Sequence, residues 1–197
     1  MAEAKDITRE RILVAARKRF SRYGYAKTTM ADVAVDCAMS AGNLYRFFPG
    51  KLDIAEAIAR TDHQSRLAVL ERLALAADRS PRQRLYDFFF SELTSTFKTF
   101  EDDPEGVEIA RILAQARPAV QNERIAAERW LISRMLDDGN QSGDFAVADS
   151  VAISEIVHAA TLKFRFSQRW TRAPLDVLER ELKGVLDLIM TGLAPRK

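Results

Sequence analysis

Asn43, Tyr45, Arg46 and Lys51 sit close together in the stretch SAGNLYRFFPGK, residues 40–51. An asparagine amide can pair with a base edge, most readily adenine, and an arginine with guanine or a phosphate. A tyrosine can donate its hydroxyl to a phosphate while its ring packs. Lys51 adds a positive charge just past Pro49-Gly50. Ala41 and Gly42 are small enough to let a helix N-terminus, with its free N–H groups and positive dipole end, approach another surface. The chemistry on offer is contact with a flat polyanion.

Such a set works only on a rigid support, and the flanking residues supply one. Ile12, Leu13, Ala16, Phe20 and Tyr23 follow at helical spacing, so the pattern predicts a first helix over about 9–23, with Thr8 as its cap, Ile7 and Ile12 as a hydrophobic staple and Gly24 as its stop. Thr29 and Asp32 have capping-box spacing ahead of Met30, Val33, Ala34 and Cys37, which predicts a short second helix. Ser40 then caps a third, with Met39 and Leu44 at staple positions and Leu44 and Phe48 facing inward. Phe47 joins that core edge, while Tyr45 and Arg46 face out. Three short helices with tight connections fit a helix-turn-helix unit.

Charge agrees with a polyanion partner for the head. Residues 1–50 hold nine Lys/Arg against five Asp/Glu, whereas the remainder holds 21 against 23. Such an asymmetry favours an anionic surface at the basic end. No apolar run spans a bilayer, and the N-terminal MAEAKDITRER has no apolar signal region. Cys37 is the single cysteine, so no intramolecular disulfide forms and a cytoplasmic setting is expected.

The segment TTMADVAVDCAMSAGNLYRFFPGKLDIAEAI closely resembles the N-terminal domain of the TetR/AcrR family of transcriptional regulators. The resemblance rests on the Thr-Thr pair, Asp32-Val33-Ala34, Ser40, Gly42, Leu44-Tyr45, Phe48 and Lys51, and covers about residues 7–60. It implies that Thr28 or Thr29, Tyr45 and Lys51 bind phosphates, and that Ser40, Ala41 and Asn43 lie in the major groove beside Gly42. The chain departs from the family at three places. Ala38 stands at a turn position commonly held by Gly, Ala41 replaces a frequent Lys, and Phe47 stands where a phosphate-binding His or Tyr is common. Arg46, at a position that is often aromatic, compensates. Direct readout then rests on few side chains, with more specificity from DNA shape.

Residues 51–197 read as further helices: about 51–77, one opened by Ser80-Pro81, 104–116, 118–138, then a turn at DDGNQSGD, and two long segments over 147–171 and 174–193. The fold class is therefore all-α, with a three-helix head (1–50) and a helical effector-binding and dimerisation body (51–197). The resemblance implies a homodimer built on the last two long helices, here through Val157, Ala160, Phe164, Leu178, Leu182, Val185 and Ile189. It also implies an effector pocket among the middle helices, with Phe89, Leu93, Phe97, Ile112, Trp130, Arg134 and His158 as candidate lining. Phe88, Phe89 and Phe90 cannot all face one way, so one is expected to meet a cavity or a second subunit.

Other chemistries lack parts. Glu155 and His158 have the spacing of a di-iron half-site, but the chain has two histidines and His63 lacks the matching Glu. Asp138, Asn140, Ser142, Gly143 and Asp149 imitate a calcium loop, with Asp in place of the closing Glu. Cys37 faces inward with no histidine near it in sequence, and there is no Gly-rich phosphate loop or nucleophile elbow. No metal, cofactor or enzymatic activity is expected. The expected partners are a double-stranded DNA operator, a small and mainly hydrophobic effector and a second copy of the chain, with no membrane. The competing reading is a helical ligand-binding or scaffolding protein whose head reads DNA weakly.

Overall fold

The computed structural model of the chain describes residues 2–165 and 173–195. Among them are ten helices and no strand: α1 (Ala2–Tyr23), α2 (Met30–Asp36), α3 (Ala41–Tyr45), α4 (Lys51–Ala74), α5 (Pro81–Asp102), α6 (Pro104–Ala116), α7 (Pro118–Ser142), α8 (Ser150–Ala160), α9 (Leu162–Arg165) and α10 (Leu175–Leu193). Contacts divide the chain into two compact units, Met1–Gln64 with Asp103–Asn122, and Ser65–Asp102 with Glu123–Lys197.

In the first unit, Ile12, Ala16 and Phe20 of α1 are fully buried at four-residue spacing. They pack with Met30, Val33, Ala34 and Cys37 around α2, with Leu44 and Phe48, with Ile54, Ala55 and Ile58 of α4, and with Ile109 and Leu113 of α6. α1 starts earlier than its sequence pattern predicts. Thr8 lies inside it and Ile7 is exposed, so neither the cap nor the staple forms. Residues 2–6, rich in Ala, Glu and Lys, contain no breaker and extend the helix back. α6 is tied to this unit at both ends. Glu105 accepts from the Tyr25 amide at 3.4 Å, and Arg117 pairs with Asp53 at 3.1 Å and Glu56 at 3.4 Å in the first turns of α4.

In the second unit, Ser80 and Gln83 exchange capping bonds at the start of α5, and Asp149 caps α8 through the Ala152 amide. The core joins Leu70, Leu85, Phe88, Phe89, Leu93, Leu131, Ile132, Met135 and Leu136 to Leu178, Leu182, Leu186 and Met190. Phe88 and Phe89 meet edge to face at 5.2 Å, and Phe90 is half-buried against the same core. All three are thus held within the unit, because α5 packs against both α9 and α10. α7 runs on through Asp137–Ser142, where a turn was expected. Gly139 has no side chain to block Phe145, whose ring would lie 2.0 Å from a Cβ there. The glycine serves packing, and the chain turns at Gly143 instead, with φ +81°. The segment expected as one helix over 147–171 is α8 and α9, broken at Thr161, whose hydroxyl donates to Val157 and His158 carbonyls; its end lies outside the described residues. The loop that imitates a calcium site is otherwise employed. Asp138 accepts from Arg84, and Asn140 pairs with the Val147 backbone.

Candidate nucleic-acid interface

The local sequence builds the presenting surface. Thr29 and Asp32 form a complete capping box on α2, and the Ser40 hydroxyl accepts from the Asn43 amide at 3.2 Å to cap α3. Between them Ala38 adopts φ +53°, the left-handed turn. Leu44 and Phe48 point into the core at 0% and 1% exposure, while Asn43, Tyr45 and Arg46 are exposed. A Cβ on Gly42 would meet nothing within 4 Å, so its surface is open. Ala41 is half-buried and Phe47 packs against the core. The structure thus brings Ser40, Gly42, Asn43, Tyr45 and Arg46 together at the surface.

Two expected phosphate ligands are turned inward. Thr28 is 2% exposed, and its hydroxyl donates to the Gly24 carbonyl at 2.9 Å. The Lys51 ammonium donates to the carbonyls of Tyr25 (2.6 Å), Thr28 (2.7 Å) and Ala26 (3.4 Å), and sits 4.3 Å from the Tyr25 ring centre. Burial pushes its pKa down. Both residues therefore hold the α1–α2 connection, and exposed Thr29 is the member of the threonine pair that reaches the surface.

Arg19 links α1 to α2 by pairing with Asp36 at 2.5 Å and Asp32 at 3.5 Å. Hydrogen bonds from Thr29 hold the Asp32 carboxyl below its usual range, and the bond from Arg19 does the same for Asp36. Arg19 and the Thr29 donors thereby offset the two acids of α2. Arg9 lies 4.2 Å over the Phe48 ring and reaches the Phe47 carbonyl. Nothing in the sequence signals this link, since it joins α1 to a residue 38 positions away.

In the second unit the expected effector residues separate. Phe89 and Leu93 are core and Phe97 packs on it. His158 is buried, while Trp130 and Arg134 lie on the exposed face of α7. Ile112, on α6, belongs to the first unit. His158 instead enters a buried ionic cluster that the sequence pattern missed. Arg165 of α9 donates to Glu92 of α5 at 2.6 Å and to Glu128 of α7, and contacts His158 Nε2. Arg66 of α4 donates to the other Glu92 oxygen at 2.7 Å and to Ser91. A bare Nε2 on His158 accepts from Arg165, whereas a protonated one donates to Glu128 at 3.4 Å. Burial works to raise the Glu128 pKa. The His158 contact and the Arg165 and Arg124 charges outweigh it and hold the carboxyl well below the usual range.

Of the residues expected at a dimer contact, Val157, Phe164, Leu178 and Leu182 are 0–3% exposed within the chain's own core. They are covered here by the core that α9 and α10 form against α5. Val185 and Ile189 are half-buried and Ala160 is exposed. Beside them in sequence Ile156, Leu162 and Leu188 remain 61%, 47% and 76% exposed, and Gly184 is open.

Comparison with known proteins agrees with this architecture. Residues 12–58 match the model for bacterial regulatory proteins of the tetR family, and residues 81–186 match the tetracyclin repressor-like C-terminal domain. The HTH-type transcriptional regulator UidR of Escherichia coli K12 is 28% identical over 147 residues, spanning 71% of this chain and 69% of UidR. The HTH-type transcriptional repressor KstR of Mycolicibacterium smegmatis is 28% identical over 144 residues, 73% and 70% of the two chains. The Thermus thermophilus repressor FadR, solved with lauroyl-CoA, superimposes with a TM-score of 0.68 over 96% of each chain at 21% identity. With a helix-turn-helix head matched to one family model and more than half of its length matched to the other, the chain belongs to the TetR family of transcriptional regulators.

Proposed function

We propose that the chain is a homodimeric, cytoplasmic repressor that holds a palindromic operator and is released by a small, mainly hydrophobic effector. In this reading residues 1–50 read DNA and 51–197 bind the effector and the second subunit. One observation carries it: Asn43 and Tyr45 of α3 and Arg46 at its C-cap stand exposed around Leu44, which is locked into the core together with Phe48 just beyond the helix. A positioned amide, phenol and guanidinium suit a base edge and the flanking phosphates. Thr29 and Ser40 flank them, with Ala41 and Gly42 permitting close approach. Two heads reading two half-sites double these contacts, and the exposed apolar positions of α8–α10 supply a face for pairing. An effector acts by binding the non-reading arrangement of the dimer more tightly than the reading one. The similar FadR was solved with lauroyl-CoA, a molecule with an apolar acyl chain, which supports an effector with an apolar part.

Selection from random duplex DNA with the purified protein, at near-physiological salt, tests the proposal. An enriched inverted repeat is expected. Weak, sequence-indifferent and salt-sensitive binding would overturn it in favour of a ligand-binding protein with weakened DNA reading. On the selected operator, Arg46→Ala should weaken binding by about 1–3 kcal/mol if Arg46 reads a base. Fluorescence anisotropy on operator and scrambled duplexes checks this, and an equal loss on both makes Arg46 a phosphate contact.

A further inference from the structure

The buried cluster of the second unit holds more positive charge than it neutralises. Arg66, Arg124 and Arg165 converge on two carboxylates, Glu92 and Glu128. Three guanidinium groups against two carboxylates leave one positive charge over. Both Glu92 oxygens are taken, one by Arg66 and one by Arg165. Glu128 gives one oxygen to Arg165 and meets Arg124 only at 3.5 Å. The Nε–H groups of Arg124 and Arg165 are buried and have no acceptor among the described residues. Burial pushes the Arg124 guanidinium's pKa down, because the charge of Glu128 does not offset its lost hydration. A native interior rarely leaves charged donors in this state.

What the cluster lacks is one negative charge and a pair of acceptor oxygens. A carboxylate supplies both in the planar form that guanidinium groups bind. A phosphate dianion would overshoot and leave the site negative. Leu93, next to Glu92 on α5, and Phe97 one turn further on lie in and against the apolar core, so the molecule carrying the carboxylate is itself apolar. Resting on the reading of this unit as the effector-binding part, we propose that the Arg124–Arg165 cluster is the anchor for the carboxylate of an apolar monocarboxylic acid. Glu128 competes for the same guanidinium groups and is the internal stand-in for the ligand.

The test uses the full chain and matched pairs, decanoate against decanamide and benzoate against benzamide, at constant ionic strength. Thermal unfolding and calorimetric titration read binding, and anisotropy on the selected operator reads release. An acid should raise the unfolding midpoint where its amide does not. Arg124→Gln should weaken that acid roughly tenfold or more while leaving the ligand-free midpoint level or higher, since it removes the surplus charge. Glu128→Gln should tighten acid binding, the opposite of what loss of a merely structural carboxylate would do. Acids and amides that behave alike, or acid binding indifferent to both variants, would overturn the anchor. If an amide releases the operator without any preference for the acid, the anchor fails while the effector reading stands. If an acid shows both variant responses yet leaves the operator bound, the anchor stands and release fails.

Discussion

Single residues decide the quality of the head. Ala38 carries a Cβ at φ +53°, a conformation that penalises every residue but glycine by about 1–2 kcal/mol. Ala38→Gly should therefore raise stability by up to about 1 kcal/mol, the steric relief less the extra unfolded-chain entropy of glycine; urea unfolding followed by circular dichroism measures it. This position was legible through the family resemblance, which sets Ala38 at a turn position commonly held by Gly. Thr28 and Lys51 were not. Their types suit a phosphate, and only the path of the α1–α2 connection reveals that carbonyls claim them first. The buried ions were equally hidden among apolar neighbours. Glu92 follows Phe88 and Leu85, and Glu128 precedes Leu131, Ile132 and Met135, all at core spacing. That periodicity was the available signal. Glu128 also has a pH consequence. Its folded pKa lies below the ordinary 4.5, so its contribution to stability is complete above that value and is lost as pH falls through the folded one. Glu128→Gln should flatten the acid limb of a midpoint-against-pH curve.

Prolines and most capping residues mark the helix ends, Thr8 being the exception. Pro81, Pro104 and Pro118 open α5, α6 and α7, and the Thr29 box and Ser40 set the two short helices of the head. The misread ends are those lacking a local breaker or governed by a distant contact, as at the start of α1 and at Gly139. The surroundings of α6 were not legible either, since they depend on Glu105 and Arg117 reaching residues far away in sequence. The helix carries Leu113, 4% exposed, into the core of the head. Leu113→Ala should cost about 2–5 kcal/mol of that unit's stability. It should also weaken operator binding although it touches no presenting residue. Amide hydrogen exchange in α1–α3 and anisotropy together check the expectation.

At the scale of the whole molecule, the all-α architecture followed from the absence of strand-like alternation and the regular arrival of caps. Which face of the last helices stays uncovered did not. Their apolar stripe was richer than an outer helix needs, yet Leu178, Leu182 and Leu186 fill the chain's own core. The face left over is marked by Leu188, 76% exposed. On the proposed homodimer, Leu188→Glu should yield monomers in sedimentation velocity and reduce operator affinity, since each head would then hold one half-site alone. The charge asymmetry of the sequence belongs to this scale too, since nine basic against five acidic residues in the first fifty set the head's long-range attraction to DNA.

α6 also bears on biosynthesis. The head is read first by the ribosome, but Ile109 and Leu113 complete its core from a helix that begins at Pro104. A nascent chain with only α1–α4 outside the exit tunnel has two gaps in its apolar interior, so the DNA-reading end cannot reach its final packing until about forty further residues have followed.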